Sequence, residues 1–357
     1  MKIFVDIGHP AHVHYFRNMI KLMEQSGHSF LITARDKEVT QDLMKYYKLN
    51  YISRGKGSNN LIGKIVYTFK ADWQILKLCK KWSPDIFISF GSPYAAHVAA
   101  FMGKPHIAFT DTEHAKLGII GFANFSEVIV TPKCFLNNFG SKHIRIDGYF
   151  ELGYLSPKYF KVNLNVLNQY FNENKTILFR YVSWNASHDI GQKGISDSSK
   201  ISLAKFFRDK CYNIYISAEG PLPREIEKYR IRIDPSDIHS FITGVDLFIG
   251  ESGTMANEAA LLGIPTVFVN SLDAGVFQEE VKYGLLYSLR NERDLFPLID
   301  RLIQDKNIKT KHENAQRAML KDKIEITDFM VWFIENYPQS KEQIKCNPDL
   351  VYKFSFK

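Results

Sequence analysis

Short, strongly apolar runs alternate along the chain with longer segments in which apolar residues recur every three or four positions. The short runs are typical of buried strands, and the periodic segments are typical of helices packed on a sheet. In the first half the predicted strands are Lys2–Ile7, Ser29–Ala34, Tyr51–Ser53, Ile86–Phe90, His106–Thr110 and Val128–Thr131. The predicted helices are His14–Ser26, Val39–Tyr47 and Leu61–Lys81. This alternation indicates a parallel, doubly wound sheet.

The same alternation restarts after a mixed, loop-rich stretch from about Phe150 to Asn174, which we interpret as a linker. The predicted strands are then Thr176–Tyr181, Tyr212–Ala218, Leu247–Gly250 and Thr266–Asn270, and the predicted helices are Lys200–Asp209, Met255–Leu262 and Thr327–Asn336. We therefore predict an α/β protein with two Rossmann-like, doubly wound domains that face a central cleft. The domains span residues 1–160 and 161–325, and a helical tail spans 326–357. Ligands of such folds bind beyond the carboxyl ends of the strands, so every loop after a strand is a candidate site.

The composition excludes several classes of protein. The 357 residues are 45% hydrophobic and 24% charged, as in soluble globular chains, and they are too many for one ordinary domain. Four widely spaced cysteines exclude a disulfide scaffold and a zinc ribbon and fit a reducing cytoplasm. We predict no signal peptide and no membrane span. The longest uncharged run, 86–103, contains Gly91, Pro93 and His97 and is better explained by a strand, a turn and a helix start.

The charge is unevenly distributed, because the whole net charge of +8 lies in residues 1–150. A one-sided basic field attracts phosphate groups, whether of nucleic acid, of anionic lipid or of a phosphorylated substrate. The alternative is a solvated surface that only keeps the protein soluble.

The strongest local signal is the segment Gly250–Glu258, which follows an apolar strand and precedes a helix of small and apolar residues. Its two glycines let the backbone turn tightly and approach a ligand. Ser252, Thr254 and the amides of the helix N-terminus suit a phosphate, and Glu258 lies one helical turn further on the same face, where it could accept two ribose hydroxyls. The segment is not a GxGxxG fingerprint, and the alternative is an ordinary capped turn.

Three histidines, His9, His12 and His14, follow the first predicted strand, where an α/β domain presents its ligand loop. A histidine there suits a general base, because its unperturbed pKa lies close to neutrality. The three could instead bind a metal ion. However, we expect the helix to begin only near His12, and the spacing is not HExxH, so zinc is the weaker interpretation. A capped turn is the third possibility.

Polar residues also follow other predicted strands. They are Asp111, Glu113 and His114, Gly91–Pro93, Arg180–Asp189, and Ser217–Pro223. Acidic residues and a histidine could bind acceptor hydroxyls or position a base, and an arginine at a strand end suits phosphate. Each cluster could also be structural, for example as a helix cap. Their place at strand ends in both halves favours a shared cleft between the domains.

The segment Gly250–Glu258 and the following Leu262–Thr266 resemble the donor-nucleotide motif of GT-B glycosyltransferases, and equally that of the UDP-N-acetylglucosamine 2-epimerases that share their fold. More closely, the chain resembles the DUF354 family. The matching residues are Asp6 with Pro10–Phe16, Gly27 and His28 with Ile32–Asp36, Asp111–His114 and Gly250–Gly263, in that order within residues 1–290. The resemblance implies a GT-B-like fold whose last helix packs back on the first domain.

The resemblance also implies roles for individual residues. In GT-B transferases a histidine after the first strand often deprotonates the acceptor hydroxyl, so the implied catalytic residues are His12, His9 and Asp111, with His12 as the base. The implied nucleotide-sugar contacts are Arg180, Glu219, Gly220, Ser252, Gly253, Thr254 and Glu258, and the implied acceptor contacts are His14, Glu113 and His114. No metal and no cofactor is expected, because helix dipoles and amides can neutralise the leaving diphosphate.

We therefore expect a metal-independent glycosyltransferase that acts in cell-envelope or surface-polysaccharide synthesis. The expected donor is a nucleotide-diphosphate sugar, most simply a UDP-sugar, and the expected acceptor is a glycan or a lipid-linked molecule. The expected location is the cytoplasm, with peripheral association at an anionic membrane and no nucleic-acid partner. Two alternatives stay open. A sugar-nucleotide epimerase would depend on Asp111, Glu113 and Glu251 more than on His12. A non-catalytic protein would bind phosphate-rich polymers through the basic half.

Overall fold

The computed structural model describes residues 1–37, 39–58, 61–183, 194–272 and 274–356. The chain divides into two compact units, each with its own parallel sheet. Unit 1 contains Met1–Tyr159 and Lys323–Lys357, and unit 2 contains Phe160–Asp322.

Unit 1 is built on a seven-stranded sheet with the strand order β3-β2-β1-β4-β5-β6-β7. Its strands are β1 Lys2–Ile7, β2 Ser29–Ala34, β3 Ile52–Ser53, β4 Ile86–Phe90, β5 His106–Phe109, β6 Val128–Pro132 and β7 His143–Ile146. The helices that connect them are α1 Pro10–Gln25, α2 Thr40–Tyr46, α3 Leu61–Trp82, α4 Pro93–Phe101 and α5 Lys116–Ala123, and the short α6 Leu152–Leu155 follows β7. All neighbouring strands pair in parallel, as the alternation of strands and helices predicts.

Unit 2 has a five-stranded parallel sheet with the order β12-β11-β10-β8-β9. Its strands are β8 Thr176–Tyr181, β9 Asn213–Ala218, β10 Leu247–Gly250, β11 Thr266–Val269 and β12 Leu286–Leu289. Its helices are α7 Leu164–Tyr170, α8 Asp197–Asp209, α9 Ile238–Thr243, α10 Gly253–Leu261, α11 Gly275–Tyr283, α12 Leu295–Gln304 and α13 Ile308–Asp322. Strands β10 and β11 are buried along their whole length, and β8 is buried at every position except Arg180, because helices cover both faces of the sheet.

The last two helices, α14 Ile326–Glu335 and α15 Gln339–Cys346, belong to unit 1. Helix α14 packs against α1 and α6. The Thr327 hydroxyl donates a 2.8 Å hydrogen bond to the carbonyl of Gly153, and the Asp328 carboxylate accepts from Tyr159 and pairs with Lys158. Among the described helices, none is long and apolar enough to cross a bilayer.

The predicted fold class of two Rossmann-like α/β halves is confirmed, and three local predictions are wrong. Helix α1 begins at Pro10 rather than near His12, because proline suits the first helical position and His9 caps the helix. The stretch interpreted as a linker contains α6 and α7. Strands β7 and β12 were not predicted, since their short sequences, His-Ile-Arg-Ile and Leu-Tyr-Ser-Leu, are not continuous apolar runs.

A buried carboxylate joins the carboxyl ends of four strands in unit 1. Asp6, near the end of β1, accepts hydrogen bonds from the hydroxyl of Thr33 on β2 (2.6 Å) and from the hydroxyl of Ser92 after β4 (2.5 Å). It also pairs with Arg54 after β3 through Nε and Nη2, at 2.7 and 3.0 Å. Both side chains of the Asp6–Arg54 pair are almost completely buried. Burial lowers the pKa of Arg54, but the charge and hydrogen bond of Asp6, together with Tyr67 and Tyr94, outweigh burial and raise this pKa above its ordinary value.

We predict that Asp6→Asn lowers the free energy of unfolding of unit 1 by about 3–5 kcal/mol, because it leaves the Arg54 charge buried without the opposite charge of Asp6. The measurement is urea unfolding followed by tryptophan fluorescence, since Trp73, Trp82 and Trp332 lie in unit 1. Asp209→Asn is the matched control, because its ion pair with Arg208 is exposed to solvent. Equal midpoints for Asp6→Asn and the wild type would contradict the prediction.

Candidate active site

Each sheet has a point from which the strand order runs in opposite directions, between β1 and β4 in unit 1 and between β8 and β10 in unit 2. The loops after the two strands at such a switch point diverge, and ligands of open α/β sheets bind there. In unit 1 these loops carry His9 and His12 after β1 and Ser92 after β4. In unit 2, Arg180 lies near the end of β8, and Ser252 follows β10. The switch points are therefore the candidate ligand sites of the two units.

The three histidines after β1 separate into a pair and a single residue. His9 caps α1, and its Nδ1 accepts a hydrogen bond from the amide of Ala11 at 3.2 Å. The rings of His9 and His12 lie 5.9 Å apart. His14 is buried elsewhere, with its ring stacked on Tyr154 at 5.0 Å between centroids and edge-on to Tyr47. The structure thus brings together His9 and His12 but not His14.

His12 is held as a neutral imidazole. Its half-buried ring lies 5.0 Å from the ring of Phe90, at the end of β4. Burial, followed by the positive charges of His9, Lys37 and Arg54, holds the pKa of His12 well below its usual value. The Nδ1 atom accepts a hydrogen bond from the amide of Gly8 at 3.3 Å, so the neutral ring carries its proton on Nε2.

The loop after β5 contains Asp111, Glu113 and His114, which precede α5. Burial raises the pKa of Asp111 to about 6, although the hydroxyl of Thr112 donates to its carboxylate at 3.0 Å. The Glu113 carboxylate is buried and accepts a hydrogen bond from the amide of Leu136 at 2.8 Å, and His114 is half-buried. Glu113 therefore fixes the backbone after β6, whereas Asp111 is a carboxyl group that titrates near neutral pH.

In unit 2 the turn between β10 and α10 has the form that the sequence predicts. Ser252 caps α10, with its hydroxyl accepting from the amide of Met255 at 3.5 Å, and Gly253 and Thr254 form the first helical turn. The first amides of a helix have no partner within the helix, so this end of α10 attracts anions. A side chain at Gly253 would lie 2.9 Å from the ring of Phe277, so glycine is required here for close packing.

Glu258 lies on the buried side of α10 rather than at its exposed end. Its carboxylate Oε1 is 3.0 Å from Nε2 of His239 on α9, and both side chains are buried. The ring of Phe160 lies edge-on to that of His239. The pairing orients Glu258, and its predicted role on a ribose stays a prediction.

The predicted contacts Arg180 and Glu219 lie together. Arg180 donates from Nη2 to Oε1 of Glu219 at 2.5 Å and from Nη1 to the hydroxyl of Ser217 at 2.9 Å. The carbonyl of Gly220 accepts from Arg230 at 3.0 Å, which holds the loop after β9 in place. Of the cluster Arg180–Asp189, residues 184–189 lie outside the described residues.

Glu251 holds the backbone on both sides of residues 184–193. It is 1% exposed, and its carboxylate accepts from the amides of Val182 at 2.9 Å and Ile195 at 2.6 Å. The side-chain amide of Asn270 donates to the Glu251 carbonyl at 3.0 Å. These bonds connect the loops after β8, β10 and β11.

Two residues near the site were missed by sequence analysis. His239 pairs with Glu258, and Lys37 contributes to the electrostatic potential at His12. The sequence signal for Lys37 was its position after β2, the strand next to β1. His239 had no such signal, because it lies in a short helix 19 positions from its partner.

Within the described ranges, no cluster of three or more His, Cys, Asp or Glu side chains could hold a metal ion.

Two doubly wound parallel sheets with polar residues at their switch points are the elements of a GT-B-like fold. The chain belongs to the DUF354 family, described as "Protein of unknown function", whose family model matches residues 1–332. An uncharacterized protein of Methanocaldococcus jannaschii is 29% identical over 282 residues, which cover 75% of this chain and 81% of that protein.

Several solved structures share the fold. The UDP complex of S. aureus MnaA matches with a TM-score of 0.72 and 14% identity, over 95% of this chain and 97% of that one. UDP-GlcNAc 2-epimerase from Neisseria meningitidis, bound to UDP-GlcNAc, matches with a TM-score of 0.68 and 13% identity, over 94% of this chain and 100% of that one. Spinosyn rhamnosyltransferase SpnG, complexed with spinosyn aglycone, matches with a TM-score of 0.64 and 13% identity, over 94% of this chain and 100% of that one. At 13–14% identity, these likenesses show a shared fold.

We predict that Asp111 makes unit 1 less stable as the pH rises from about 4 to about 6. The folded protein holds the Asp111 proton up to a pKa of about 6, whereas an unfolded aspartate releases it near 3.9, so stability falls as the pH rises through this interval. Asp111→Asn removes this loss. When the pH rises from 4.5 to 7.5, we expect the free energy of unfolding of the variant to increase by about 2 kcal/mol relative to that of the wild type.

The measurement for Asp111 is the urea midpoint of unit 1 at both pH values. Asp42→Asn, at an exposed position in α2, is the control and is expected to follow the wild type. An unchanged pH dependence in Asp111→Asn would show that its carboxyl group titrates normally.

Proposed function

We propose that this protein is a GT-B glycosyltransferase that uses a UDP-sugar and a glycan or lipid-linked acceptor of the cell envelope. The observation that carries the proposal is the placement of candidate residues at the switch points of both sheets, where this fold class binds ligands. The UDP-bound structure of MnaA, which has the same fold, supports UDP as the nucleotide.

In the proposed donor site the diphosphate lies against the start of α10. The hydroxyls of Ser252 and Thr254 and the first amides of the helix would bind its oxygens, and the positive end of the helix dipole would stabilise the charge that develops on the leaving UDP. Glu258, oriented by His239, would accept the ribose hydroxyls. Arg180, Glu219 and Gly220 would border the nucleotide-sugar at the ends of β8 and β9.

In the proposed acceptor site His12 takes the proton of the attacking hydroxyl, with His9 as the second candidate. His12 suits this step because its lowered pKa keeps it uncharged at neutral pH. Since the ring proton is on Nε2, the hydroxyl would replace the Gly8 amide at Nδ1. That hydrogen bond is long, at 3.3 Å, so its replacement costs little. The acceptor would also contact the loop that carries Glu113 and His114.

A sugar-nucleotide epimerase is the second candidate, and Asp111 favours it. A carboxyl group with a pKa of about 6 can both donate and accept a proton at neutral pH, as an epimerase requires. Against it, two of the three carboxylates on which this alternative depends, Glu113 and Glu251, accept hydrogen bonds from backbone amides. Binding of phosphate-rich polymers has no comparable support from the described contacts.

The test of the proposed function is product analysis with UDP-N-acetylglucosamine, UDP-glucose and UDP-galactose, with and without a lipid extract as the acceptor source. A transferase releases UDP, and the release increases with acceptor. An epimerase converts the sugar without releasing UDP. A folded protein that neither binds nor consumes any UDP-sugar would contradict both.

We predict that His12→Gln lowers turnover about 100- to 10,000-fold while UDP affinity is unchanged, because glutamine cannot accept the proton. In the wild type, kcat/KM should fall only at a pH below 6.5, since the pKa of His12 is lowered. His28→Gln, near the opposite end of α1, is the control. If His9→Gln loses turnover and His12→Gln does not, the base is His9.

A further inference from the structure

Helix α3 is apolar on two opposite sides. One side packs on the sheet through Tyr67, Ala71, Ile75 and Cys79, which follow one another at intervals of four residues and are buried. The other side faces solvent. Its residues also recur at short helical intervals, and they are Ile62 (76% exposed), Ile65 (53%), Val66 (61%), Phe69 (73%) and Trp73 (64%). At 3.6 residues per turn these five residues form one continuous stripe along the helix.

The helices packed beside α3 also carry exposed apolar side chains. Helix α3 packs against α4, and α4 packs against α5. His97 of α4 joins the three helices, because Nδ1 is 2.9 Å from the carboxylate of Asp72 on α3 and Nε2 is 3.1 Å from the carbonyl of Gly121 on α5. Phe101 at the end of α4 is 70% exposed, and Leu117 on α5 is 84% exposed. Single exposed apolar residues are ordinary, but five that line one side of a helix are typical of a binding surface.

The charges around this surface are almost all positive. Helix α3 contains five lysines, Lys64, Lys70, Lys77, Lys80 and Lys81, and one acidic residue, Asp72. The Asp72 carboxylate is paired with His97, whereas the five lysines are exposed. Lys70 and Lys77 lie beside the stripe, four positions after Val66 and Trp73. A surface of aromatic and aliphatic side chains bordered by lysines is complementary to an anionic lipid bilayer.

We propose that α3, with the exposed ends of α4 and α5, binds the surface of a membrane that contains anionic lipid. Phe69 and Trp73 enter the boundary between headgroups and acyl chains, and the lysines contact the lipid phosphates. A second copy of the chain suits this face less well, because it would bring two sets of lysines together. The inference does not depend on the proposed function, since it uses no residue of the candidate active site.

The first experiment is sedimentation of the full-length protein with vesicles of phosphatidylcholine, with and without phosphatidylglycerol. The wild type is expected to bind the anionic vesicles and to bind the neutral vesicles weakly. The double variant Phe69→Ser/Trp73→Ser should bind anionic vesicles at least about tenfold more weakly. The matched control is Leu164→Ser in α7, which removes an apolar side chain that is 67% exposed in unit 2, and it should bind like the wild type.

The second experiment tests the lysines. Lys70→Gln/Lys77→Gln should lower affinity for the anionic vesicles about 25-fold, or about fivefold for each charge, and should weaken the salt dependence. Circular dichroism and UDP titration check that the variants are folded and separate this inference from the proposed function. Absence of wild-type binding to anionic vesicles, or an equal loss in Leu164→Ser, would overturn the proposal. So would a dimer in buffer that Phe69→Ser/Trp73→Ser abolishes, because the face would then bind a second copy.

Discussion

The buried carboxylate of Asp6 is the constraint on which the arrangement of unit 1 depends. It connects the two strands that flank the switch point, since it lies on β1 and accepts from Ser92 after β4, and it neutralises Arg54 after β3. Burial and the charges of His9 and Lys37 are the main causes of the lowered pKa of His12, and the charge of Arg54 acts in the same direction. Arg54, which Asp6 holds in place, is therefore one of the groups that keep the candidate base neutral.

In unit 2 backbone amides hold a buried carboxylate at the corresponding position. Glu251, after β10, is as deeply buried as Asp6, but its carboxylate accepts hydrogen bonds from backbone amides, including that of Val182 after β8. Here too a carboxylate connects the strands on both sides of a switch point. Hydrogen bonds from amides can stabilise a buried carboxylate. The nearby Arg180, near the end of β8, donates instead to Glu219 and Ser217. Both units thus hold their candidate residues on loops that buried polar contacts anchor to the sheet.

The sequence predicted the parts of the molecule that depend on local pattern. Continuous apolar runs such as Ile86–Phe90 identified the inner strands, and Ser252 identified the start of α10. Strand β7 was not predicted because its polar residues break the apolar run. The start of α1 was misplaced because the helix begins at Pro10, directly after its cap His9. Contacts between distant residues could not be predicted, since the pairings of Glu258 with His239 and of Glu113 with the Leu136 amide arise only when the chain folds.

Calorimetric titration with UDP, GDP and CDP tests the central claim most directly, namely that unit 2 binds a sugar nucleotide at the start of α10. The account predicts that UDP binds the wild type and that Glu258→Gln lowers the affinity about tenfold or more, because the ribose loses a charged hydrogen-bond acceptor. Glu225→Gln, an exposed substitution in unit 2, should leave UDP affinity unchanged. A folded protein that binds none of the three nucleotides would contradict the account.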